Sequence, residues 1–161
     1  MGWAIELSRR NVAEGTGGPF GAAVFVGGRL ISSGVNLVVP QRWSIAHAEV
    51  VALLLAESAA GNHDLGADPA ERYELFASSE PCIQCFGAIW WSGISRLVTG
   101  ACRETVERLT GFQEGPVPAD WQERLESREA PLRPVEVRRG VLAGEAAEVL
   151  SGYRGPVYNP S

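Results

Sequence analysis

The chain has 161 residues, 45% of them hydrophobic and 20% charged, enough for one domain with a real core and too apolar for a disordered segment. A net charge of −5, with all basic residues arginine and none lysine, argues against an extended basic surface for RNA or DNA. No apolar run reaches the roughly 20 residues of a membrane span, the N-terminus lacks the pattern of a signal peptide, and three cysteines cannot all pair, so a reducing, cytoplasmic setting is expected.

In chain order, residues 3–14 read as a helix that ends at Gly15-Thr16-Gly17-Gly18-Pro19. Residues 22–26 read as a strand. Gly27-Gly28 is a two-residue hairpin turn, and the return strand runs over residues 29–39, bent near Gly34. A loop follows from Pro40. A second helix starts at Ala46 or His47 and reaches about Ala60; it is apolar almost all round, which predicts heavy burial. After a polar loop come a strand at 73–77, a helix from Cys82 to before Gly93 and a strand at 96–101. A short helix at 103–110, a Gly/Pro-rich loop at 111–118 and a short helix at 121–129 come next. A strand at 135–138, a helix at 142–150 and an extended tail at 155–161 complete the chain. This order predicts an α/β domain, a central sheet with helices on both faces, with no internal repeat or linker.

His47-Ala48-Glu49 and, 35 positions after His47, Cys82-Ile83-Gln84-Cys85 carry the chemistry. One histidine and two cysteines give zinc three protein ligands and leave the fourth tetrahedral position open, the catalytic arrangement. Cys82 and Cys85, three residues apart at a helix start, share one face, and the helix N-terminus favours their thiolate forms. One zinc ion per subunit, with a bound water or hydroxide, is therefore the expected cofactor. Zinc lowers the pKa of such a water towards about 7, and Glu49 would take and return the protons. Glu49 can reach the metal only if His47 sits at the very edge of its helix. His-x-Glu followed by Pro-Cys-x-x-Cys is the signature of zinc deaminases, which remove an amino group from a nucleobase-like ring. A structural zinc site would need a fourth ligand, and the remaining candidates, His63 and Cys102, stand in no metal-binding spacing.

At these residues the chain resembles the cytidine deaminase-like superfamily, and within it the bacterial guanine deaminase family. The segments that carry the resemblance are Gly18-Pro19-Phe20-Gly21-Ala22, Ala46-His47-Ala48-Glu49 and Ser79-Glu80-Pro81-Cys82. Cys85 to Gly93, Gly111-Phe112-Gln113-Glu114-Gly115-Pro116 and Val157-Tyr158-Asn159 extend it over nearly the whole chain. It implies a three-layer α-β-α fold around a mixed five-stranded sheet. It further implies that Phe20 stacks on a purine, Asn36 bonds the base edge, Glu114 is a second proton shuttle and Trp91 walls the pocket. A domain-swapped homodimer follows from the same likeness, in which the tail, with Tyr158 and Asn159, closes the neighbour's site. Gln113 stands where the motif carries an acidic residue.

The expected reaction is guanine to xanthine plus ammonia, on a free base rather than a nucleic acid or a membrane component. A triazine such as ammeline or a modified base would need the same chemistry. A tRNA adenosine deaminase would need basic surface that the charge does not offer. A zinc-stabilised scaffold would have no use for Glu49.

Overall fold

A computed structural model describes residues 1–159; Pro160 and Ser161, the last two of the expected tail, lie outside the described residues. The elements are α1 (Gly2–Ala13), β1 (Gly18–Val26), β2 (Arg29–Asn36), α2 (Val38–Gln41), α3 (Ala48–Ala60) and β3 (Tyr73–Ser79). They continue with α4 (Ile83–Trp91), β4 (Arg96–Ala101), α5 (Arg103–Thr110), α6 (Trp121–Glu126), β5 (Glu136–Arg138) and α7 (Ala143–Gly152).

The five strands form one mixed sheet in the order β2-β1-β3-β4-β5. β1 pairs antiparallel with β2 and β3, while β3-β4 and β4-β5 are parallel. The antiparallel half follows from the tight turn at Gly27-Gly28, where φ is 56° and 78°, a region open to glycine at no steric cost. The parallel half needs crossovers, and α4 and α5–α6 supply them. α3 packs on β2 and β1 and touches α4; α1 and α7 pack on the other side, with α5 against α7. This is the expected three-layer α-β-α arrangement. Gly34 makes the α3 layer possible, because a Cβ there would stand 2.1 Å from the Ala48 carbonyl.

Several boundaries differ from the sequence reading. β1 starts at Gly18, so the glycine run supplies both the helix stop and the strand's first residue. β2 stops at Asn36, and residues 38–41 turn into a short helix rather than continuing the strand. β3 reaches Ser79, which carries the sheet directly up to Glu80-Pro81-Cys82. α3 is not heavily buried: Ala48, Glu49, Ala52, Leu53 and Ala56 are buried, but Leu54 is 63% and Leu55 48% exposed. An all-apolar helix can sit on a sheet with one face only, and its composition does not say what covers the other. Among the described residues no helix is long and apolar enough to cross a membrane.

Candidate metal centre and its cavity

His47 is the N-cap of α3, with extended backbone (φ −71°, ψ 152°), and Glu49 lies in the first turn behind it. Placing His47 at the helix edge lets both side chains reach one spot. Cys82 is the N-cap of α4, also extended (φ −70°, ψ 174°), and its sulfur accepts from the Cys85 N–H at 3.5 Å. Two helix N-termini therefore converge, and their positive ends favour anionic sulfur.

His47 Nδ1 lies 3.3 Å from Cys82 Sγ and 3.5 Å from Cys85 Sγ. Zinc bonds of ordinary length at a tetrahedral angle put nitrogen and sulfur about 3.5 Å apart. All three donor atoms fall within 4.8 Å of one another, so the residues fit a zinc ion without rearrangement. The two thiols shift in opposite directions. The Cys85 thiol hydrogen bond, with His47, pulls Cys82 down to about 4, while that same bond and burial push Cys85 well above the usual thiol range. A bound cation would take the place of the thiol protons, since the ligand form is the thiolate.

Two carboxylates stand over this centre. Glu49 is buried, and burial pushes its carboxyl up, reinforced by the charge on Cys82. Glu114, on the loop after α5, is buried as well; burial, then Cys82 and Glu49, push it up to about 8. The Glu114 carbonyl accepts from the Ile83 N–H at 2.9 Å, which ties its loop to the turn that carries the cysteines. Burial works to lower His47, but the hydrogen bond to Cys82 and the surrounding negative charges raise it on balance.

Phe20, Asn36, His47, Glu49, Ser79, Cys82, Phe112, Glu114, Tyr158 and Asn159 enclose one cavity. Phe20 meets Phe112 edge-on at 5.3 Å between ring centres. Asn36 Nδ2 donates to the Tyr158 hydroxyl at 2.7 Å, and the Tyr158 ring lies 5.9 Å from the His47 ring and 4.9 Å from that of Phe112. Asn159 grips the Glu114 loop from both sides: its side-chain amide donates to the Gln113 carbonyl, and its carbonyl accepts from the Gln113 N–H. With the tail so placed over its own chain's site, the remaining space is ≈ 20 Å³ for a water-sized sphere, room for about one water.

The structure thus gathers eight of the nine expected residues. Trp91 is the exception and is corrected here. It ends α4, six residues beyond Cys85, is 70% exposed, and borders a surface groove beside Leu54, His63 and Arg128. Phe112 and Ser79 line the cavity without having been assigned a role. Both stand inside motif segments of the sequence, but an apolar residue and a serine carry no signal that separates lining from packing. His63 and Cys102 lie apart from the metal cluster.

The model of the cytidine and deoxycytidylate deaminase zinc-binding region matches residues 1–101. The chain is 33% identical over 129 residues to a guanine deaminase of Bacillus subtilis, covering 80% of this chain and 79% of that protein. A solved guanine deaminase from Nitrosomonas europaea superimposes with a TM-score of 0.85 at 46% identity, covering 92% of this chain and 79% of that one. A tRNA-specific adenosine deaminase of Buchnera aphidicola is 29% identical over 92% of this chain and 89% of its own length.

Proposed function

The chain belongs to the cytidine deaminase-like family of zinc-dependent deaminases, in its bacterial guanine deaminase branch, and on that premise we propose that it converts guanine to xanthine and ammonia. It is a hydrolytic aminohydrolase acting on a small nucleobase. The observation that carries the choice of substrate is the likeness to two guanine deaminases over most of this chain; two buried carboxylates, Glu49 and Glu114, beside one His-Cys-Cys centre can supply the proton transfers.

When bound by His47, Cys82 and Cys85, zinc acidifies a water and supplies it as a nucleophile. Glu49, at the start of α3, accepts the proton and returns it to a ring nitrogen. A carboxyl raised by burial holds and releases a proton near neutral pH more readily than an exposed one. Glu114, raised as well, carries its proton to the departing amine, which leaves as ammonia. The ring and the leaving group both need a proton, and two carboxylates can divide that work. Phe20 offers its face to the purine, and Asn36 offers an amide to the base edge once Tyr158 releases it. The cavity is too small for a base while the tail is down, so Tyr158 and Asn159 must lift for entry and return to shut water out.

A homodimer is proposed on the family likeness; in this structure the tail closes its own chain's cavity. The same contacts can form in trans if two chains exchange residues 155–161. An apolar surface for such pairing exists: Trp43, Ile45, Leu54, Leu55 and Trp91 are all exposed on or beside α3 and α4. Free cysteines that must stay reduced to hold metal support a cytoplasmic setting. The acidic chain, with no lysine, favours a free base over tRNA.

Ammonia release by zinc-loaded protein tests the substrate, with guanine, adenine, cytosine, their nucleosides and ammeline compared side by side. Turnover best on guanine is expected. Silence on guanine with turnover of another ring would keep the metal chemistry and remove the substrate assignment.

A further inference from the structure

Glu80 is a fully buried carboxylate that the reaction does not use. It is 2% exposed and stands directly before Pro81-Cys82. Its Oε1 accepts from Arg139 Nε at 2.5 Å, its Oε2 accepts from the backbone N–H of Arg103 at 3.3 Å, and Oε2 lies 3.8 Å from Arg103 Nε. Its own N–H donates to the Ala101 carbonyl at 2.8 Å. Both arginines reach further. The Arg139 guanidinium lies over the Trp121 ring at 5.5 Å, and Arg103 Nη1 donates to the Val117 carbonyl at 3.4 Å, on the loop that also carries Glu114.

The structure assigns Glu80 the part of a positioning residue, which with Arg103 and Arg139 fixes where Cys82 stands relative to His47 and Glu114. A carboxylate removed from water persists only when it is paired and hydrogen-bonded, so its geometry is strongly determined. Here the partners come from separate elements, the start of α5 and the residue just past β5, so the carboxylate locks the metal turn to both. Pro81 then transmits the lock. Its ring fixes φ, and the short link from Glu80 to Cys82 is stiff. His47 arrives at the N-cap of α3, 35 positions away in the chain, and local chain geometry does not set its distance to Cys82. A metal site tolerates errors of about 0.2 Å in its ligand distances, so the turn needs an anchor of this kind. The Arg103 bond to Val117 extends the same anchor to the Glu114 loop, beside the direct Ile83–Glu114 bond.

Metal binding itself tests this, with no reference to substrate, so failure of the guanine assignment would leave the result readable. Glu80→Gln keeps the shape and removes the charge. Competition against a chromophoric chelator should show zinc bound about tenfold or more weakly, and the cobalt-substituted protein should show a shifted absorption spectrum. Arg139→Met removes the outer partner alone and should move both readouts in the same direction, and Arg139→Lys should restore part of the loss. If Glu80→Gln does not fold, the two Arg139 variants decide. A folded Glu80→Gln or Arg139→Met protein with unchanged zinc affinity and unchanged cobalt spectrum overturns the assignment, even if its melting temperature drops, because the group would then serve stability alone.

Discussion

Asn36 and Tyr158, 122 positions apart, meet in a hydrogen bond of 2.7 Å that closes the cavity over the metal ligands. The amide expected to read the base edge is thus held by the tail in the closed chain. Tyr158 occupies that place at the cost of burying its hydroxyl, which raises its pKa.

Removal of residues 156–161 should therefore lower kcat/KM by about a hundredfold, the scale on which lost positioning acts, while zinc stays bound. Mixing this truncated chain with Glu49→Ala should restore turnover. The intact tail of one chain can then close the intact site of the other. No recovery in a mixture shown to form mixed dimers would reject the exchange of tails.

Glu49→Ala should cut turnover by at least about a hundredfold, the lower end for a lost general acid–base group. Zinc content by metal analysis should match the parent, because Glu49 is not one of the three donors. Persistent turnover in zinc-loaded Glu49→Ala would remove the shuttle assignment.

Glu114 makes the stability of the fold depend on pH. Its carboxyl is pushed from 4.5 up to about 8 in the metal-free fold, with burial the first cause. A raised folded-state pKa means the fold binds the proton more tightly than the unfolded chain does. The stabilising contribution is then complete below about 4.5 and fades as pH rises through about 8. Glu114→Gln carries no such titration. Thermal melts of metal-stripped protein should show the variant gaining on the parent between pH 5 and pH 8.5. A constant difference across that range would show that Glu114 is not raised.

Leu54, 63% exposed in the middle of α3, should lie in the contact between two chains. Leu54→Arg places a charge there and should shift the protein to monomer in sedimentation velocity, with secondary structure unchanged. A parent protein that is already monomeric would dispose of the dimer.

What the sequence made legible was whatever one turn of backbone controls. Cys82 and Cys85 share a face because helix geometry fixes residues three apart. Gly27-Gly28 announces a hairpin because few other residues accept that backbone. The period of apolar residues marked most of the helices and the sheet they cover, even though β1 started, and β2 and β3 ended, elsewhere than expected. The family motifs brought in Phe20, Asn36, Glu114 and Tyr158, which no local rule would have gathered.

Trp91 shows where that reading stopped. Its place in the motif run is local, but the direction of its ring depends on the rotation of α4 against α3, which packing sets. The exposed side of α3 was hidden for the same reason: Leu53 and Leu54 are alike in sequence and differ only in which one meets the sheet. Glu80 gave a motif letter and no hint of Arg103 or Arg139, since a buried carboxylate finds its partners across the fold. Local spacing therefore determined the chemistry this chain can do. Tertiary packing alone decided the distances that let it be done, because contacts between separate elements are fixed by burial and pairing and not by position along the chain.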